Sequence, residues 1–295
     1  MKPFEYLAPV SVAEAVGLLA AKGERARPLA GGTDLLVQLR NGRLELDRLV
    51  DLKRIPELNE LSFDPVRGLT IGAAVPCSRI YRDAVVIAHY PVLVDATSII
   101  GGRAIQSRAS LGGNLCNAAP SADSVPAMVV LHGMCRVVGP EGERMVAVES
   151  FNRGPGRNVL EPGELLVSIH FPPPSQRSGA QYLRFIPRFE MDIAVVGSGV
   201  SVVLSEDGTR IKSACIALAT VSPTVLLAAK AAAACEDKEV SEETVEMVAR
   251  LAQEEARPRT TMRGTAAQRR HLIEVLTKRA MWGAITRARG DQEDG

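Results

Sequence analysis

The chain is poor in the residues that usually announce chemistry. Its four histidines, His89, His132, His170 and His271, stand in no metal-ligand spacing, and no His-Glu-x-x-His pattern occurs. Its five cysteines include no Cys-x-x-Cys pair, which argues against an iron–sulfur or zinc site in this chain. Their odd number and isolated positions predict small buried hydrophobes rather than disulfides. Neither sign of charge dominates: 35 Lys and Arg face 34 Asp and Glu, for a net charge of +1. That leaves no footprint for nucleic acid and no polybasic patch for a membrane surface. Long apolar runs are missing as well. Residues 193–204 are too short to span a bilayer, and 216–234 are broken by Pro223 and Lys230. No signal-peptide pattern follows Met1-Lys2-Pro3-Phe4-Glu5. The expectation is a soluble, cytoplasmic protein without a transmembrane segment. No triad or nucleophile elbow occurs, so no catalytic residue and no metal ligand is assigned.

What is present is apolar patterning. With 295 residues, 46% of them hydrophobic, the chain can build two or three packed lobes. Ser11 is a good N-cap for a helix over 11–22, and a short strand follows at 27–30. A lobe of α/β character ends near residue 56. A second lobe, 57–176, holds a strand over 69–73, helical pieces at 78–81, 90–97 and 123–131, and a hairpin turned at Gly139-Pro140-Glu141-Gly142. Residues 101–117, dense in Gly, Ser and Asn, are predicted irregular. Pro172-Pro173-Pro174-Ser175 is the clearest boundary. Beyond it, 181–185, 193–204 and 211–218 alternate as strands, and helices are predicted at 225–234, 242–255 and 265–286. The fold class is α+β: a two-lobed domain over 1–176, then a domain over 177–288 with a three-stranded antiparallel sheet and helices, then a polar tail over 289–295.

Two diglycine turns carry the chemistry. Ala30-Gly31-Gly32-Thr33 follows a strand and opens a helix, so its amides and the positive helix start favour an anion. Gly-Gly at a strand end is more often only a turn. A second Gly-Gly, in Ser110-Leu111-Gly112-Gly113-Asn114, changes the weighing. Neither is a Walker loop or a Gly-x-Gly-x-x-Gly fingerprint. Two amide nests on one diphosphate suit a dinucleotide lying between two lobes.

The segments Leu29–Leu35 and Ala109–Asp123 resemble the medium, FAD-binding subunit of molybdenum hydroxylases, the xanthine dehydrogenase and aerobic carbon monoxide dehydrogenase family. The resemblance continues through Leu160-Glu161-Pro162-Gly163-Glu164-Leu165-Leu166, Tyr182-Leu183-Arg184-Phe185 with Arg188, and Met191-Asp192-Ile193-Ala194. It ends at Arg263-Gly264-Thr265 and Arg269-Arg270-His271. It implies an FAD domain of the vanillyl-alcohol-oxidase type and a C-terminal flavoprotein domain. Carried over by position, Ala30, Gly31, Gly32, Thr33 and Asp34 hold the diphosphate, flanked by Leu29 and Leu35. Ser110, Gly112, Gly113, Asn114 and Asn117 form the opposing loop. Asp123 bonds ribityl or ribose hydroxyls, and Ile100, Gly101 and Leu166 line the adenosine side. Arg184 lies near the pyrimidine edge of the flavin, where a cation favours reduced flavin, and Ile193 covers a ring face.

Plainer readings stand beside these. Asp123 is either a ligand or a helix cap. Leu166 and Ile193 are either site or core residues, and Arg184 either a site residue or a solvated strand residue. Arg263, Arg269 and Arg270 read as a surface face or a subunit contact. The family commonly has Lys at Arg184, and Arg cannot donate a proton. Some members place Tyr at Ile193, and an acidic residue is frequent where Thr261 stands. The cysteines of one branch's extra cluster are absent. The resemblance implies an electron-transfer subunit. A large molybdopterin-binding subunit and a small subunit with two [2Fe–2S] clusters feed FAD, which passes electrons to NAD+, a quinone or another acceptor, in a dimer of heterotrimers. The alternatives are a free-standing flavoenzyme of the same fold and an assembly subunit that has lost flavin.

Overall fold

Short parallel strands and a helix begin the chain in the computed structural model, which describes residues 2–291. Strands Glu5–Leu7, Arg48–Asp51 and Ala26–Leu29 pair in that order, all parallel. Helix Val12–Ala20 starts where the Ser11 hydroxyl accepts the Glu14 N–H at 3.2 Å. Its Val12, Ala15, Val16 and Leu19 fall on one face and bury against Val50, Leu52, Leu165 and Val167. A five-stranded antiparallel sheet follows, ordered Leu61–Asp64, Gly68–Gly72, Leu165–Phe171, Met134–Gly139, Gly142–Ala147. The hairpin expected at 139–142 is present. Residues up to Ile80, Gly102–Ala118 and Gly133–Pro173 form this first unit.

The stretch predicted irregular is helical in two places, Arg103–Gln106 and Leu111–Asn117. Leu111 and Leu115 are fully buried, and Ser110 caps the second helix. Burial and capping outweigh the poor helix propensity of Gly112 and Gly113.

The second unit comprises Tyr81–Gly101, Ala119–His132 and the described chain from Pro174 onward. Strands Ser178–Phe185, Val196–Leu204 and Ile211–Ala219 form the predicted antiparallel sheet. A fourth strand, Leu226–Leu227, pairs with Ala217 and Leu218, so the helix predicted from 225 begins only at Ala229. Helix Ala266–Arg289 packs on one face. There Ser198 meets Thr277 at 3.0 Å, and Ile273, Leu276, Ala280 and Ala284 bury against Val200, Val202 and Ile216. Helix Ser124–Val130 covers the other face, with Pro126 against Gly199. The long helix runs past the predicted end to Gly290, whose φ of +79° closes it. Of the predicted tail, residues 292–295 lie outside the described residues.

No helix among the described residues is long and apolar enough to cross a membrane. The cysteines are free thiols, and Cys77, Cys135 and Cys235 are buried.

Gly179 is a tight backbone joint between this sheet and the long helix: a Cβ there would fall on the Ala284 carbonyl. Gly179→Val is expected to destabilise the protein by at least ~1–3 kcal/mol, read as a lower urea midpoint. An unchanged midpoint would mean the helix shifts freely.

Candidate functional site

In the first unit, the two turns touch through backbone. Gly31 lies so close to the second turn that a Cβ would fall on the Arg108 carbonyl. Gly32 has φ +78°, a conformation L residues rarely adopt. Gly112 presses on Ala73, where a Cβ would come within 2.6 Å of the carbonyl oxygen. The polypeptide's own geometry accounts for these three glycines. Gly113 is different. It is exposed, and a Cβ there would meet only the Ser110 hydroxyl, at 3.1 Å.

Hydrogen bonding follows the same division. The Gly113 N–H donates to the Ser110 hydroxyl at 3.1 Å, and Ser110 is buried. Gln38 donates its amide to Asn117 Oδ1 at 3.1 Å, tying the helix after the first turn to the helix that holds the second Gly-Gly. The N–H groups of Gly31, Gly32, Thr33 and Asp34 donate to no other group among the described residues. A run of free amides just ahead of a helix fits an anionic group such as a diphosphate. Asp34 is exposed and makes no side-chain cap.

In the second unit, a buried carboxyl group organises its neighbours. Gly179 and Gln181 face the long helix, so Tyr182 and Arg184 alternate onto the other face of the sheet. Asp123 is 8% exposed. Its Oδ1 accepts the Tyr182 hydroxyl at 2.7 Å, and its Oδ2 accepts Arg184 at 2.5 Å. The other terminal nitrogen of Arg184 donates to the Ile99 carbonyl at 2.8 Å, beside Ile100 and Gly101. Gly197 leaves room for the Tyr182 ring, which a Cβ there would strike. Burial pushes the Asp123 carboxyl up, opposed by the Arg184 charge and by the Tyr182 and Arg184 bonds. Burial, and then the Asp123 charge, hold the Tyr182 phenol well above its usual 10. Ile193 is 47% exposed. Its N–H donates to Asp192 Oδ1 at 2.8 Å, and Arg263 donates to the same oxygen at 2.7 Å.

The family model for the FAD binding domain in molybdopterin dehydrogenase matches residues 2–174, and that for the CO dehydrogenase flavoprotein C-terminal domain matches 181–284. The chain belongs to the FAD-binding medium subunits of the molybdenum hydroxylases. It is 31% identical over 286 residues to the xanthine dehydrogenase FAD-binding subunit of Escherichia coli O157:H7, covering 97% of both chains. It is 30% identical to the carbon monoxide dehydrogenase medium chain of Afipia carboxidovorans, over 97% of this chain and 98% of that one. The solved CO dehydrogenase from Oligotropha carboxidovorans superposes with a TM-score of 0.91 at 30% identity, over 97% and 99% of the two chains. Quinoline 2-oxidoreductase from Pseudomonas putida 86 gives 0.90 at 30% identity, over 98% and 99%. The α+β reading and the flavoprotein oxidoreductase reading therefore hold for this subunit.

The medium subunit places its expected site residues in distinct settings. Within the first unit, Gly31 of the turn Ala30–Asp34 packs on Arg108, just ahead of Ser110, and Asn117 is tied to Gln38 of the helix after that turn. Leu29 is buried and Leu35 packs on the same small cluster with Leu39, Leu46 and Leu49. Leu166 is buried in a central strand. Within the second unit, Asp123 makes no cap bond, and Arg184 is a buried partner rather than a solvated strand residue. The surface reading fails for Arg269, which is 3% exposed. Its position four residues into the Thr265-capped helix turns it inward. Sequence reasoning missed Tyr182 and Gln38 as partners. A glycine two residues after Val195 and an aromatic in the preceding strand were the only signals of the Tyr182 contact.

The raised Tyr182 pKa sets a pH signature. Its contribution to stability is fully present below the unfolded value of about 10 and is lost as pH rises toward the folded value. Between pH 9 and 11, Tm of the wild type should fall more steeply than that of Tyr182→Phe. Parallel curves would show that the phenol is not buried against a charge.

Proposed function

We propose that this subunit is the flavin-bearing relay of a molybdopterin-dependent dehydrogenase, with residues 1–176 as its FAD-binding part and 177–288 as its C-terminal flavoprotein part. The single observation that carries the reading is the run of free amides at Gly31–Asp34, in a turn whose Gly31 packs on the Arg108 carbonyl just ahead of Ser110. Bound FAD supplies two-electron and one-electron chemistry in one cofactor. Gly31, Gly32, Thr33 and Asp34 donate backbone N–H groups to the diphosphate, with Leu29 and Leu35 flanking, and Gly113 and Asn114 complete the cradle. Ser110, Gly112 and Asn117 hold that loop. Asp123 presents acceptor capacity to sugar hydroxyls. Ile100, Gly101 and Leu166 line the adenosine side, and Ile193 covers a ring face.

Arg184 donates to Asp123 and to the Ile99 carbonyl. These two bonds fix the plane of its guanidinium. The chain then needs no general base: electrons arrive from [2Fe–2S] clusters of a small partner subunit, themselves supplied by a large molybdopterin subunit. They leave to NAD+, a quinone or another acceptor. A cytoplasmic dimer of heterotrimers fits this role.

The test is a visible absorbance spectrum of the purified chain, titrated with FAD. Wild type should show bound flavin. Gly113→Trp, placed at the open position, should keep its Tm yet bind FAD at least ~100-fold more weakly, a difference of about 2.7 kcal/mol. Equal binding would remove the diglycine cradle from the account.

Bound flavin in the isolated chain should also stay oxidised with candidate organic substrates and become reduced only when the partner subunits are present. Direct reduction by an organic substrate would favour a free-standing flavoenzyme.

A further inference from the structure

Arg269 is an expensive residue for a protein interior. Its side chain is buried, yet no carboxylate pairs with it among the described residues, and its Nε has no partner at all. A guanidinium kept from water without a counter-charge costs stability that a well-packed apolar residue would not. What it touches is specific. It donates to the Val195 carbonyl at 2.6 Å, to the Thr220 carbonyl at 3.1 Å and to the Thr261 hydroxyl at 2.8 Å.

Thr220 is itself anomalous. It is β-branched at φ +69°, and its hydroxyl is buried without a partner. Such a conformation persists only where the surroundings impose it. Its N–H donates to the Pro120 carbonyl at 2.9 Å, three residues before Asp123. Val195, the other carbonyl partner, stands two residues after Ile193. Its own N–H donates to the Phe185 carbonyl at 2.9 Å, next to Arg184. Met191, on the same loop, also holds a left-handed φ of +54°. An uncompensated charge and strained residues thus meet where the segments bearing Asp123, Arg184 and Ile193 are joined.

We propose that Arg269 is a positioning residue for the flavin, setting the segments that carry Asp123 and Ile193 through the Thr220 and Val195 carbonyls. This rests on the flavin reading above. Its planar fork reaches several acceptors from one rigid group, which an ammonium does from a single point. Stability alone does not account for it, because the arrangement spends stability to fix geometry.

The experiment compares wild type, Arg269→Met, Arg269→Lys and a core control on the same helix, Leu276→Ala. Hydrogen exchange in flavin-free protein is expected to rise at least ~10-fold in 118–123 and 190–196 in Arg269→Met. The same variant should bind FAD at least ~10-fold more weakly and alter the visible circular dichroism of bound flavin. Arg269→Lys should recover part of each. Leu276→Ala should lower Tm while leaving the dichroism and affinity unchanged. Wild-type dichroism and affinity in Arg269→Met would overturn the proposal while leaving the flavin reading intact, as would equal optical changes in Leu276→Ala. A wild-type chain that never holds flavin overturns both.

Discussion

Backbone laid directly against backbone is the constraint on which the first unit depends. Gly31 sits on the Arg108 carbonyl and Gly112 on Ala73, at distances that no side chain of any size permits. Each contact fixes a turn on a neighbouring segment, and together they bring two stretches far apart in sequence side by side. The amides of the first turn are left without acceptors among the described residues. An anion site of this kind is a by-product of close approach: N–H groups denied partners by the fold remain available to a ligand.

The second unit solves a different problem with charge. Asp123, Tyr182 and Arg184 satisfy one another in a setting where any one of them alone would be costly. The sheet makes this possible by alternation. Gly179 and Gln181 meet the long helix, while Tyr182 and Arg184 point to the other side, and Gly197 opposite yields the space for a phenol ring. One strand therefore serves both the core and the polar group, with Gly179 in it and Gly197 on the neighbouring strand making the room.

Elements whose signals are local were legible in the sequence. The Ser11 cap and the apolar face of Val12–Ala20, the hairpin at 139–142 and the three long strands of the second unit stand where spacing put them, except that the middle strand begins at Val196 rather than 193. The two diglycine turns were legible as a pair, but their separate duties were not, since Gly31 and Gly112 are explained only by Arg108 and Ala73. The region 101–117 was misread because glycine content hides a Ser110 cap and two buried leucines. Least visible were partners distant along the chain. Asp123 and Arg184 are 61 positions apart, and Arg269 and Val195 are 74 apart. A propensity argument has no reach over such separations, and the inward turn of Arg269 contradicts the usual exposure of its type.

The buried thiols carry a further meaning for a protein of this family. Burial pushes Cys77 up to about 12 and Cys235 up to about 11, and Cys135 higher still. At neutral pH these sulfurs are almost wholly in the unreactive thiol form, since the thiolate is the nucleophile. Reduced flavins that meet oxygen release peroxide, and peroxide attacks thiolates first. Enclosed as thiols, these three sulfurs are poor targets for peroxide.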